Sequence, residues 1–353
     1  MNYKYFSTII LCVIGAYVFS VAFINFVVDP FYIFRTPVFK VQHQINERYT
    51  KIERLRKGTG KYNSFIMGSS RMLLTHPDTI ERYIPGGKFY NLATRGATPF
   101  EHLLHVKYLI KNGYSVKNLY IGLDIDKCFT TKIYDDTNYL FKLHPDVANK
   151  SRVDFYWSYL SIFPKGDIKR KLRANFDKGV PRRYEIEEDG TMAWESRTGD
   201  RRSLSDQQVN DDNIMIKNEM MKWNLEALGE LVALCKQKDI KLTLFITPHS
   251  GILMNRFAVE DYVECLRELS EITPFWDFSG YNSVTTNNKN YLDRSHYNRS
   301  VSCLIAARIF GDKTLIVPSD FGVWVTKRNI DAHLENVRIN FKNNRLRNGS
   351  GGH

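Results

Sequence analysis

The sequence predicts an α/β protein: a parallel sheet with helices on both faces, carried behind one N-terminal transmembrane helix and interrupted by a cap-like insertion. Three observations predict it. Short apolar runs alternate with helical stretches from about residue 63 onward, as in a layered α/β domain. The first thirty residues hold an uncharged stretch from Phe6 to Val28. From Lys127 to about Asn210 the alternation stops, and the chain becomes polar and aromatic.

Residues 1–5 form a short head containing Lys4, and residues 6–28 follow as the anchor. As a helix, 23 residues reach about 35 Å, enough for a hydrocarbon core of about 30 Å. A cleaved signal peptide is the rival, with Ser20-Val21-Ala22 as a small-x-small site. The apolar run continues past that site, which favours an uncleaved anchor. Arg35 and Lys40 on the far side give no positive-inside preference for export. Long domains translocate largely regardless of charge, and the short head resembles a signal anchor, so the body is expected outside the cytoplasm.

Residues 29–62 read as a juxtamembrane connector. The α/β domain is expected over 63–312, with strands in S-F-I-M, F-Y-N-L-A, L-Y-I-G-L-D-I, K-L-T-L-F-I-T and F-W-D-F. Each is short, apolar and bounded by Gly, Asp, Asn or Pro, the pattern of buried parallel strands. Helices are expected over Pro99–Asn112, about Asn213–Gln237, Val259–Ile272 and Arg299–Phe310, and M-L-L-T-H-P-D-T-I-E-R-Y-I after Arg71 is helix-like. The insertion, about 127–210, reads as a lid or cap near the ligand face. Its run I-K-R-K-L-R is either a solvated surface or a binder of anionic polymer. Residues 313–348 form a basic extension, and G-S-G-G-H at 349–353 reads as a tag linker.

With 50 Lys and Arg against 38 Asp and Glu, the net charge is +12, which points to an anionic neighbour. Outside the cytoplasm that neighbour is a membrane surface or an envelope polymer rather than nucleic acid. Cys12 lies in the anchor, and Cys128, Cys235, Cys265 and Cys303 show no metal-like spacing. No metal or cofactor is expected. A Cys265–Cys303 disulfide and four buried thiols both remain open.

Two polar clusters stand out. Strand S-F-I-M ends in Gly68-Ser69-Ser70-Arg71, and Asp293 precedes His296 by three residues in L-D-R-S-H-Y-N. Serine at a helix start is commonly a cap. It is also a nucleophile once an imidazole takes its proton and a carboxylate orients that imidazole. Strand ends of a parallel sheet share one edge, where ligands bind, so Ser70 and His296 could meet there.

In this order, G-S-S and D-x-x-H resemble the SGNH/GDSL hydrolase superfamily over roughly Asn63–Gly311. The resemblance implies a flavodoxin-like three-layer fold and a triad of Ser70 as nucleophile, His296 as base and Asp293 as orienting acid. It places the oxyanion hole on the backbone N–H groups of Ser70 and Gly96, the latter from N-L-A-T-R-G-A-T-P. Gly122 matches the family's third block, but Asp124 stands where an oxyanion-donating asparagine is usual. An ionised carboxylate cannot donate a hydrogen bond. Asp124 therefore turns away, or binds something else, or leaves the hole to backbone N–H groups. Arg71 is a candidate compensating cation, and His249, after the fourth strand, a candidate substrate contact alongside Asp124. His102 and His105 read as packing or surface residues. Tyr156, Trp157 and Tyr159 either line a sugar groove or pack beneath the cap.

Anchor and G-S-S-R together are similar to anchored SGNH-like proteins of DltD-like teichoic-acid D-alanylation and polysaccharide O-acetylation. Such proteins partner a multi-spanning membrane-bound O-acyltransferase. The resemblance implies transfer of an acetyl or D-alanyl type group to a polysaccharide or anionic envelope polymer. A carbohydrate esterase acting alone and a non-catalytic scaffold of an acylation complex are the alternatives.

Overall fold

A computed structural model describes residues 3–58, 60–128, 137–177, 185–193, 214, 216 and 218–349. The chain divides into two compact units: 1–54 with 135–187 and 192–198, and 55–134 with 188–191 and 199–353.

The second unit holds a six-stranded sheet. Its strands are β1 (Ser64–Gly68), β2 (Phe89–Asn91) and β3 (Asn118–Leu123), then, after two strands belonging to the other unit, β6 (Lys241–Ile246), β7 (Phe275–Asp277) and β8 (Val323–Val325). The order is β2-β1-β3-β6-β7-β8, parallel throughout except for β8, which pairs antiparallel to β7. All five expected strands are present. The order reverses between β1 and β3, and such a reversal opens a crevice at the carboxyl ends of the two strands. Every residue of β1 and β3 is buried.

β8 lies within the stretch expected to be a basic extension. Trp324 pairs with Trp276 and their rings sit 5.4 Å apart, closing the sheet edge. The following helix, Ile330–Gly349, packs on helix Val259–Ile272, with Arg338 bound to Glu260 at 2.9 Å. Helices Pro99–Lys111, Asn218–Gln237 and Val259–Ile272 pack in succession, and Arg299–Phe310 packs on the short Asp78–Glu81 helix.

One expected helix does not form. After Ser69 the chain makes a single 3-10 turn, Ser70–Met72, and becomes helical again only at Asp78–Glu81. Pro77 disfavours helical backbone at His76. The Asn91 side-chain amide donates to the carbonyls of Met72 (2.8 Å) and Thr75 (2.9 Å), diverting acceptors that a helix would use. The cap reading of serine fails with it, since Ser69 makes no side-chain cap bond.

Close approach explains the glycines at the strand ends. Gly68 and Gly122 are register partners, and the Met72 side chain lies over both. A Cβ on Gly68 would meet Met72 Cγ at 2.3 Å, and one on Gly122 would meet its Sδ at 2.6 Å. Gly68 also has φ +149°, a conformation that side chains disfavour.

The first unit begins with helix Tyr3–Val28, long and apolar enough to cross a membrane. Its last turns pack on helices Arg152–Leu160 and Lys165–Phe176. The segment after the helix is built into a core: Phe31, Ile33, Tyr49, Phe155 and Tyr159 form one buried cluster. Asp29 accepts from the N–H groups of Ile33 and Arg35, each at 2.7 Å, which ties the turn leaving the helix. Strands β4 (Glu185–Ile186) and β5 (Met192–Ala193) make a small antiparallel ladder. Much of the expected insertion, including 178–184 and 194–210, lies outside the described residues, as does most of the 349–353 tail.

Cys235, Cys265 and Cys303 are free thiols, so the Cys265–Cys303 bridge does not form. Burial raises the Cys235 thiol to about 11 and pushes Cys265 up further.

Gly68→Ala is expected to lower stability by about 2–3 kcal/mol, by overpacking against Met72 and by backbone strain. Thermal and denaturant unfolding of the detergent-solubilised chain measure it; a change near zero would contradict the close approach.

Candidate active site

The carboxyl ends of β1, β3 and β6 deliver Ser69-Ser70-Arg71, Asp124–Asp126 and Thr247–Ser250 to one edge of the sheet. The loop between β7 and helix Arg299–Phe310 supplies Asp293 and His296. That loop is a narrow hairpin, closed by Leu292 N–H donating to His296 O (2.8 Å) and Asn298 N–H to Asn290 O (2.9 Å). Asn298 then caps the helix by accepting from Val301 N–H.

Ser70 and His296, 226 residues apart, meet: His296 Nε2 lies 2.9 Å from Ser70 Oγ. On its other side, His296 Nδ1 lies 2.8 Å from Asp293 Oδ2 and 2.9 Å from Oδ1. A carboxylate only accepts, so Nδ1 carries the proton and Nε2 is left to accept from the serine hydroxyl. Asp293 also accepts from the backbone N–H groups of Ser295 (2.7 Å) and His296 (2.9 Å). Burial pushes its carboxyl up, but these donors and the imidazole override that and hold it below the usual carboxylate value. Asp293 therefore orients His296 through a tight turn rather than across a turn of helix.

Gly96 sits in a turn after β2 at φ +64°, and Thr94 N–H donates to Gly68 O at 3.1 Å, stitching this turn to the end of β1. Among the described residues the N–H groups of Ser70 and Gly96 donate to no protein acceptor.

The remaining expected site residues take a different role. Arg71 is buried, and its guanidinium makes four hydrogen bonds and one further ion-pair contact. Nε donates to Ser295 O (2.8 Å) and Nη2 to Ser295 Oγ (2.7 Å) and Asp126 Oδ2 (3.2 Å). Nη1 reaches Asp126 Oδ1 (2.7 Å) and Asp124 Oδ2 (2.9 Å). Asp124 is fully buried and bound to the hydroxyls of Ser69 and Thr247 as well as to Arg71. It is directed into the protein interior rather than toward Ser70 and His296. His249 is fully buried too, with Nδ1 2.9 Å from Thr247 O and Nε2 3.0 Å from Asp126 Oδ1. Arg71, Asp124 and His249 are thus internal supports rather than substrate contacts, because each spends its polar atoms on protein partners.

Asp126 joins the two sides of this support. Burial pushes its carboxyl up, yet Arg71 and His249 drive it well below its ordinary value. Arg71 in turn is held charged: burial pulls it down, and Asp124 and Asp126 push it up more. The second aspartate of G-L-D-I-D is visible in the sequence, and its spacing from Asp124 was the signal that could have marked it. Ser250 closes the arrangement, its hydroxyl donating to Arg294 O and accepting from Leu253 N–H (3.2 Å).

The other candidates lie elsewhere. His102 and His105 are buried in helix Pro99–Lys111, where His105 Nδ1 contacts Glu101 O at 2.9 Å. Tyr159 is buried in the aromatic core of the first unit and Tyr156 packs against it, its hydroxyl 2.8 Å from that of Tyr49, whereas Trp157 is 52% exposed.

Comparison with protein-family models returns no match, and comparison with curated proteins returns none either. The case for chemistry rests on the geometry of the site.

Arg71→Met is expected to cost about 3–5 kcal/mol, since it leaves two buried carboxylates without their cation. Denaturant unfolding tests this. Asp126 and Asp293 both titrate below their unfolded value of about 3.9, so their stabilisation is complete above that pH and is lost as pH falls through the folded values. Acid unfolding followed by fluorescence should therefore begin only below about pH 4, and Asp126→Asn should flatten it.

Proposed function

We propose that this chain is a membrane-anchored, extracytoplasmic O-acyltransferase of the SGNH type, with a flavodoxin-like catalytic domain. The observation that carries the reading is the unbroken contact from Ser70 Oγ through His296 to Asp293. Two backbone N–H groups with no protein acceptor among the described residues, on Ser70 and Gly96, support it.

In this reading His296 Nε2 removes the Ser70 proton as Oγ attacks the acyl carbonyl. The oxyanion of the tetrahedral intermediate takes hydrogen bonds from the N–H groups of Ser70 and Gly96. As the carbonyl re-forms, the bond to the leaving group breaks and His296 returns the proton to it, leaving an ester on Ser70. A hydroxyl of the acceptor then gives its proton to His296 and attacks this ester. Its product departs and Ser70 recovers the proton. Asp293 stabilises the imidazolium in both halves.

The anchor supports a donor delivered at the membrane by a multi-spanning membrane-bound O-acyltransferase. The net positive charge supports an anionic envelope polymer or polysaccharide as acceptor, and an acetyl or D-alanyl type group is the proposed cargo. An esterase would use the same acyl-serine and replace the acceptor hydroxyl with water.

Treating the purified chain with a fluorophosphonate and mapping the adduct by mass spectrometry should find it on Ser70. Ser70→Ala should abolish it and lower ester turnover by about 10⁴-fold or more. Asp293→Asn should lower turnover by about 10³–10⁴-fold, by favouring the wrong imidazole tautomer. Labelling that persists in Ser70→Ala would reject the assignment.

A further inference from the structure

The first unit carries a surface that the acyl chemistry does not use. Helix Lys165–Phe176 packs beside the last turns of helix Tyr3–Val28. The Asn25 side-chain amide donates to Leu160 O at 3.0 Å and also to Ile162 O, which sets residues 160–162 level with the end of the apolar helix. Asn25 is three residues, about 4.5 Å, from Val28. The 23 residues from Phe6 to Val28 outreach a hydrocarbon core of about 30 Å by about 5 Å, so Asn25 falls at the level where hydrocarbon gives way to headgroups.

At that level the surface has two matched stripes. Lys165, Lys169 and Arg173 recur every four residues on one exposed face and have no acidic partner among the described residues. Beside them run Ile168, Leu172 and Phe176 at the same spacing. The six side chains line one groove of about 630 Å³, with Asp177 at its end. Phe176 is 76% exposed although it makes a T-shaped contact with Phe39, ring centroids 5.9 Å apart; Val38, 58% exposed, adjoins Phe39 in sequence, and Phe163, 55% exposed, stands just before the helix.

The helix is also held firmly in the first unit. Lys171, on the opposite face, is buried and donates to Asp29 O (3.2 Å) and to Gln42. Asn175 exchanges two 3.0 Å hydrogen bonds with the backbone of Val41. Exposed aromatics beside cations without acidic partners suit an interface where rings enter the headgroup layer and cations meet lipid phosphates.

We propose that Lys165, Lys169 and Arg173, with Phe163 and Phe176, form a binding face for anionic phospholipid headgroups of the membrane that Tyr3–Val28 enters. The face seats the first unit on the bilayer surface. It rests on the membrane reading of the N-terminal helix and is independent of the serine chemistry.

The test uses the full chain in nanodiscs of neutral phosphatidylcholine, and of phosphatidylcholine with one quarter phosphatidylglycerol, followed by hydrogen–deuterium exchange. Amides of residues 165–176 should exchange roughly five-fold more slowly in the anionic discs, and 0.5 M salt should remove much of the difference. The triple variant Lys165→Gln, Lys169→Gln, Arg173→Gln should lose the difference while keeping the neutral-disc rates. Ser70→Ala should respond as the unaltered chain does, which separates this surface from the triad. Equal rates in both discs would overturn the proposal, as would a difference that survives the triple variant. Slowing by soluble polyphosphate in neutral discs, with none from anionic lipid, would overturn it in favour of an anionic polymer.

Discussion

One guanidinium holds the site together. Arg71 follows the candidate nucleophile directly, yet its side chain runs inward and touches the loop that presents the imidazole. Through Ser295 it fixes the hairpin of Asp293 and His296, and through Asp124 and Asp126 it fixes the chain leaving the carboxyl end of the neighbouring strand. A fork of five fixed donors suits this task because each N–H has its own direction, which an ammonium lacks. A buried ion cluster contributes less to net stability than its contacts suggest, since desolvation offsets much of the attraction. Its value here is registry: a hairpin without regular secondary structure keeps its imidazole within hydrogen-bond reach of Ser70.

The same network accounts for Asp124. An asparagine there could offer only one oxygen to Ser69, Thr247 and Arg71, whereas a carboxylate offers two and brings charge to match the guanidinium. Its oxygens divide between Ser69 and Arg71 on one side and Thr247 on the other. On the acyl-transfer reading the oxyanion therefore depends on two backbone donors. The loss of a third donor costs about 2.7–4 kcal/mol of transition-state stabilisation. A slow bare enzyme that relies on a bound acceptor for positioning suits that deficit, because binding energy from remote parts of a polymer can offset it.

The five parallel strands were legible because burial on both faces imposes short apolar runs ended by turn residues. Four helices were legible from period and caps, and Val259–Ile272 and Arg299–Phe310 have the expected bounds. Val323–Val325 was not, since three residues on an antiparallel edge carry no period of their own. The meeting of Ser70 and His296 was readable because strand ends in a parallel sheet share an edge. The inward turn of Arg71 and His249 was not: a charged side chain at a strand end reads as a ligand contact until its acceptors are known. Asp126, Ser250 and Ser295, which supply or complete those acceptors, follow three different strands, and spacing in sequence does not connect them.

The hydroxyls of Ser69 and Ser70 show how finely the turn divides these roles. Adjacent residues in extended backbone point their side chains to opposite sides, and the 3-10 turn starting at Ser70 keeps that divergence. Ser69 faces inward to Asp124, and Ser70 faces His296. A helix beginning at Ser69 would have spent its hydroxyl on a cap instead. The constraint that prevents it comes from Asn91, whose amide holds the Met72 and Thr75 carbonyls, and from Met72 itself, wedged over two glycines. The half-buried position of Ser70 is thus a consequence of packing beneath it: without room at Gly68 and Gly122 for that methionine, the turn could not form and the two hydroxyls would not diverge.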